Sequence, residues 1–208
     1  MENENRVNWQ IAKYQTNKKL VELVNKLKPT NAENAPHIHA GKCKEKGSDG
    51  KKLISCIGVN LLDYSNGKGD KTVSVMANIS PEQCQWIYSV LNRGENDFNF
   101  YQEKIIASVK ENGVSPVTKL TIARATVGSD GQKRNYPWYI KIENGTGIPA
   151  VTTTGGTMIK QGSYKMEKTA FINLNDMDMF CIIHRAISFI NVWEIKNGCE
   201  LLRQSQAS

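Results

Sequence analysis

Histidine is the scarcest chemistry-bearing residue in this chain, with three among 208 residues. His37 and His39 fall in the string HIHAGKC together with Cys43, and Cys56 follows. Imidazole and thiolate are the donors zinc prefers, and four of them would close a tetrahedral site. Structural zinc sites bring cysteines in tight C-x-x-C pairs, and this string has none, so it reads as a solvated loop and no metal is assigned to it. His184 sits in an amphipathic run beside apolar residues, where packing at a core edge accounts for it. No G-x-S-x-G elbow and no cysteine in an activating pattern accompanies it. Asp176 and Asp178 form a carboxylate pair, but they open a helical run, where acidic side chains complement the helix dipole. GTGIPAVTTTGG at 145–156 lacks the Lys-Ser/Thr ending of a phosphate loop and the strand–glycine–helix setting, and reads as a long hairpin. No catalysis, cofactor or metal is therefore expected.

A second set of residues has the chemistry of binding. In NYPWYIKIENG, Trp138, Ile140 and Ile142 alternate with Tyr139, Lys141 and Glu143, the pattern of a strand with one buried and one wet face. In VTKLTIA, Leu120 and Ile122 share a face, so Lys119 and Thr121 share the other. In YKMEKTAFINL, Ala170, Ile172 and Leu174 keep phase with Tyr164 and Met166, which turns Lys165, Thr169 and Phe171 outward; Lys168 interrupts the alternation. The connection before the Trp138 strand adds Lys133, Arg134 and Tyr136. Lysines for phosphates, rings for base stacking and small polar residues between them are what a single nucleic-acid strand requires. The expected site is therefore Lys119, Lys133, Arg134, Lys141 and Lys165 for electrostatic capture, with Tyr136, Tyr139 and Phe171 for stacking. Tyr, Thr and Lys are also common on wet sheet faces, and the same rings would serve a protein interface.

The elements that must carry these residues follow from periodicity and capping. NKKLVELVNKLK at 17–28 reads as an amphipathic helix capped by Thr16, with Leu20, Leu23, Val24 and Leu27 in one stripe and Pro29 as its end. Residues 29–52 carry no periodicity and read as a flexible basic loop. KLISCIGVNLLDYS and KTVSVMANI read as two strands joined by a turn at NGKGD. SPEQ at 80–83 has the form of a capping box, and Cys84, Ile87, Tyr88 and Leu91 form the apolar stripe of the helix it opens, which Gly94 stops. Further strands are expected at 103–110, 117–128, the Trp138 segment and 164–174, with a hairpin over 144–163. Asn175 then caps a helix over 176–197 that presents Phe180, Ile183, Ile187 and Ile190 and stops at Gly198. The expected fold class is α+β, with antiparallel sheets in two strand-rich halves, 53–98 and 99–198, each followed by a helix. Residues 1–52 supply the N-terminal helix and loop.

Composition agrees with a globular chain, at 39% hydrophobic and 23% charged residues. Five cysteines at irregular spacings do not form a disulfide framework, and no run is long and apolar enough for a membrane span. Together with a start lacking signal-peptide layout, this predicts a cytoplasmic protein with no membrane partner. The net charge of +7 is unevenly placed: residues 1–52 carry 11 basic and 6 acidic side chains, 53–103 carry 3 and 6, and 104–174 carry 10 and 4. Two basic stretches around an acidic one suit an anionic partner. The element order resembles the Whirly and PUR-type single-strand-binding fold, in which two β-sheets, each followed by a helix, pack as pseudo-symmetric halves. The matching parts are KLISCIGVNLLDYS through SPEQCQWIYSVLNRG, and KIIASVK through the helix at 176–197. Two strands are legible in the first half, against four in that fold. The KGKGGK-type motif of plant Whirly proteins is not present, so no functional residue is carried over. The resemblance implies binding of single-stranded DNA or RNA on exposed sheet faces, and DNA is favoured. A protein-interaction or assembly module using the same open face is the first alternative and a metal-dependent enzyme using the His37–Cys43 segment the second, and self-association stays open.

Overall fold

Val21 and Leu23, expected on a helix, are buried on a strand. The computed structural model describes residues 9–28, 54–105 and 113–206, with side chains as far as 197. In it, β1 (Gln10–Gln15), β2 (Lys19–Lys26), β3 (Cys56–Asp63) and β4 (Val73–Ile79) form one antiparallel sheet in chain order. The N-terminal helix is thus replaced by β2. The apolar residues of KLVELVNK satisfy either period, and pairing on both sides with β1 and β3 settles the matter by giving its backbone a full ladder. Thr16, read as a helix cap, closes the β1–β2 turn instead. Its N–H donates to the Lys19 carbonyl at 2.8 Å, and its Oγ1 accepts from the Lys18 and Lys19 N–H groups at 3.3 and 3.0 Å. The loop expected over 29–52, with His37, His39 and Cys43, lies outside the described residues.

Helix α1 (Pro81–Arg93) starts at the expected capping box. Ser80 Oγ accepts from the Gln83 N–H at 3.1 Å, and Gln83 Oε1 accepts from the Ser80 N–H at 2.8 Å. Gly94 ends it at φ +67°, the left-handed conformation that glycine adopts at lowest cost. A second antiparallel sheet follows, from β5 (Asp97–Ile105), β6 (Ser115–Ala125) and β7 (Trp138–Gly147). A hairpin of β8 (Pro149–Val151) and β9 (Thr157–Ile159) then leads to β10 (Lys165–Leu174), which returns to pair with β7, giving the spatial order β5-β6-β7-β10. β5 begins at Asp97, earlier than the expected 103, because Phe98 and Phe100 join the core. Helix α2 (Asp176–Gln206) opens on Asn175, whose Oδ1 accepts from the Asp178 N–H at 2.7 Å. It continues through Gly198, where a stop was expected; a glycine inside a helix is disfavoured by only about 1 kcal/mol.

The fold class is therefore α+β with antiparallel sheets, and a four-stranded sheet followed by a helix occurs twice, the second with the β8–β9 hairpin inserted before its last strand. One core joins both parts, from Val21, Ile57 and Ile79 in the first sheet to Leu120, Ile140 and Ile172 in the second, with Ile87 of α1 and Ile183 of α2. α2 packs on α1 and on β1 of the first sheet. β4 is an edge strand, and its outer backbone is held by side chains of the second sheet. Asn144 accepts from the Met76 N–H and donates to the Met76 carbonyl, both at 3.1 Å, while Gln102 and Lys104 donate to the Asn78 carbonyl at 3.0 and 2.8 Å. An edge that would otherwise invite pairing with another chain is thereby occupied. No helix among the described residues is long and apolar enough to cross a membrane.

Candidate nucleic-acid interface

The buried face of β7 fixes what its other face can present. Trp138, Ile140 and Ile142 are buried, as the alternation requires. The indole N–H of Trp138 donates to Asp176 Oδ1 at 2.8 Å, and Arg124 clasps the same carboxylate through two nitrogens at 3.0 Å each. Arg124 also donates to the Glu95 carbonyl, so one guanidinium ties β6 to the starts of β5 and α2. These contacts hold the Asp176 carboxyl below its ordinary range, the Arg124 hydrogen bonds first, against the opposing effect of burial. The sequence pattern accounts for Asp176 only by its place at the capped, dipole-favoured start of a helix.

Because Trp138 and its mates point inward, the register carries Tyr139, Lys141 and Glu143 to the outer face, where residues directly opposite one another form rows. One row runs Asn99, Ala123, Tyr139, Asn173. The next runs Tyr101, Thr121, Lys141, Phe171. The third runs Glu103, Lys119, Glu143, Thr169. Of the expected residues, Lys119, Tyr139, Lys141 and Phe171 share this face. Tyr139 and Phe171 have ring centroids 5.6 Å apart, and Phe171 remains 42% exposed.

Lys165 does not join them. The pairing of β10 with β7 slips between Met166 and Lys168, a bulge at the point where Lys168 breaks the alternation. Before the bulge Lys165 lies opposite Thr146, in phase with the buried Ile140 and Ile142, and Met166 takes the outer phase. Lys133, Arg134 and Tyr136 are exposed but stand off the face, in the connection between β6 and β7. Lys133 and Arg134 border a groove of about 730 Å³ with Arg124, Asn135, Asn175 and Asp176. Tyr136 lies close enough to Tyr14 to help burial and Asp178 raise the Tyr14 hydroxyl.

The face also contains residues that the strand patterns did not single out. Tyr101 is 55% exposed at the end of the middle row. Lys19, at the start of β2, reaches 3.4 Å from the Phe171 ring centroid, and Lys119 stands 3.7 Å over the Tyr164 ring. The Tyr164 hydroxyl is buried with no hydrogen-bond partner among the described residues. It is pushed up to about 12 by burial, with Glu143 adding to the shift. Carboxylates accompany the lysines: Glu103 lies 3.4 Å from Lys119, Glu143 lies 2.5 Å from Lys141, and Asp63 lies 3.4 Å from Lys19. Glu143 holds the Lys141 ammonium above its ordinary range, mainly through that hydrogen bond. Tyr101 and Lys19 are not placed by the sequence, since one lies in the part of β5 that precedes the expected start at 103 and the other falls in an expected helix.

Among the described residues no group of three or more His, Cys, Asp or Glu side chains is arranged to hold a metal ion. His184 is exposed on α2, 3.1 Å from the Tyr88 hydroxyl and stacked on Phe180. No protein-family model matches this chain, and neither a curated protein nor a solved structure does.

Proposed function

We propose that this protein binds single-stranded nucleic acid, DNA favoured, without catalysis, on the outer face of the second sheet. The observation that carries the reading is the placing of Tyr101, Tyr139 and Phe171 in two adjacent rows, with Lys141 between Tyr101 and Phe171. Three strand spacings separate Tyr101 from Phe171, about 14 Å, room for more than one stacked base. Each base–ring stack contributes about 1–3 kcal/mol, so two or three rings suffice for useful affinity even where phosphate contacts are few. A four-stranded sheet followed by a helix, occurring twice apart from the inserted β8–β9 hairpin, is the order that the Whirly and PUR-type resemblance implies, and it supports the same reading. Polarisation titrations with a labelled single strand and a labelled duplex of the same sequence, at two salt concentrations, test it. Preferential binding of the single strand is expected, and equal or absent binding of both overturns the reading.

A second reading is favoured by one observation. Lys19, Lys119 and Lys141 are each matched by a carboxylate, so the face is closer to neutral than its lysines suggest. Exposed rings on a neutral surface suit assembly with another protein or another copy. Sedimentation over a range of protein concentrations distinguishes the two. Self-association abolished by Phe171→Ala, in a protein that does not bind single strands, would make the face an interface.

A further inference from the structure

We propose that Glu103 and Glu143 set the specificity of this face for single strands over duplex, by cancelling the attraction that its lysines would otherwise exert on any phosphate backbone. The inference rests on the single-strand reading and deepens it. In the third row Lys119 stands between Glu103 and Glu143, one on each neighbouring strand. Glu103 is anchored from two sides, 3.4 Å from the Lys119 ammonium and 3.3 Å from the Tyr101 hydroxyl that donates to it. Glu143 engages Lys141 from two residues along the same strand, at 2.5 Å. Lys19, reaching in from β2, is met by Asp63 at 3.4 Å. Each of these lysines thus has a carboxylate at hand, and a phosphate must displace it.

The two kinds of nucleic acid respond differently to that competition. Duplex binding without base contacts depends on phosphate neutralisation and counterion release. A face whose lysines are already neutralised gives duplex little hold. Bases in a duplex are stacked on one another and do not offer their faces to Tyr101, Tyr139 or Phe171. A single strand does offer them, and stacking does not require a free ammonium. The carboxylates therefore weaken both ligands but weaken duplex more, and specificity is that difference.

The test uses Glu103→Gln/Glu143→Gln, which keeps side-chain size and removes charge, in the full chain. With labelled duplex and labelled single strand at low salt, duplex affinity is expected to rise roughly tenfold or more and single-strand affinity by a smaller factor, so that the ratio between them falls. The salt slope for duplex should steepen by about one to two units, roughly one for each lysine released. Glu103→Asp/Glu143→Asp, which retains the charges, should keep the parent ratio. The two ion pairs are only partly exposed, so thermal melts of the double variant and of the single variant Glu143→Gln guard against loss of fold. A parent that prefers single strands with a ratio unchanged in the Gln variants overturns this inference and leaves the single-strand reading intact. A parent and variants that bind neither ligand overturn both.

Discussion

Tyr139 and Ile140 are adjacent in sequence and opposite in environment, and the difference is measurable. Ile140 is buried in the common core, so Ile140→Ala should destabilise the protein by about 2–5 kcal/mol in chemical denaturation. Tyr139 gives up mainly its contact with Phe171, and an aromatic pair of this kind is worth about 0.5–1.5 kcal/mol. Tyr139→Ala should therefore stay folded yet weaken single-strand binding by about 1–3 kcal/mol in a polarisation titration. Unchanged binding would remove the ring from the site. Asp176 supplies a prediction in pH. Its folded carboxyl titrates below the unfolded value of about 3.9, so its contribution is fully present above that value and is lost as pH falls through the lower folded value. Asp176→Asn should therefore lower the melting temperature at neutral pH, where Arg124 and Trp138 lose their charged acceptor, and flatten its decline in acid below about pH 4. A variant that melts like the parent at neutral pH would mean the Arg124 clasp contributes nothing.

At the scale of elements, α2 shows which face was legible and which was not. Its apolar stripe was expected to run through Phe180, Ile183, Ile187 and Ile190, and Ile183 and Ile190 are buried. Phe180, however, is exposed enough to stack on His184, and Ile187 is only partly buried, while Met179, Ile182 and Ala186 complete the inner face. Ile183→Ala should accordingly cost about 2–5 kcal/mol and Ile187→Ala clearly less, compared in urea unfolding. Reversal of that order would mean that the helix sits rotated on the sheet. The sheet strands were readable because alternation in TKLTIA and WYIKIE has only one interpretation when one face is buried, and the α1 boundaries because SPEQ and Gly94 are local signals. β2 was not, since a short segment with Leu and Val at mixed spacing has no local preference and is decided by its neighbours. For the same reason four residues of the expected site came together on one face, while the bulge at Lys168 and the stand-off of the β6–β7 connection kept the others apart. Register and loop path are properties of the pairing, and single strands do not encode them.

The two four-stranded sheets share one core, and among the polar side chains that join them, with Gln102 and Lys104, Asn144 makes the fullest contact. Its side chain replaces, for Met76, the strand that β4 lacks on its outer edge, offering one acceptor and one donor to the same residue's backbone. It also donates to Thr118 within its own sheet at 3.1 Å, so the amide is held in the orientation that β4 requires. Asn144→Ala leaves a backbone N–H and a carbonyl of β4 without these partners. A buried group left unsatisfied costs about 1–3 kcal/mol, and water reaching the exposed Met76 side will reduce that toward the lower end. The shared core, with α2 lying across both α1 and β1, should nevertheless keep unfolding in one step. Cys84 gives an independent view of that step, because its thiol is buried on α1 and pushed up to about 12, out of reach of reagents while the core stands. Exposed Cys181 should instead be modified at once in the native protein. In Asn144→Ala, far-UV circular dichroism and labelling of Cys84, followed by mass spectrometry across a urea series, should shift together to a lower midpoint. Labelling of Cys84 ahead of the loss of β-structure would mean that the first sheet and its helix detach as a separate unit. Asn144 would then be the clamp between two domains rather than one bond within a single fold.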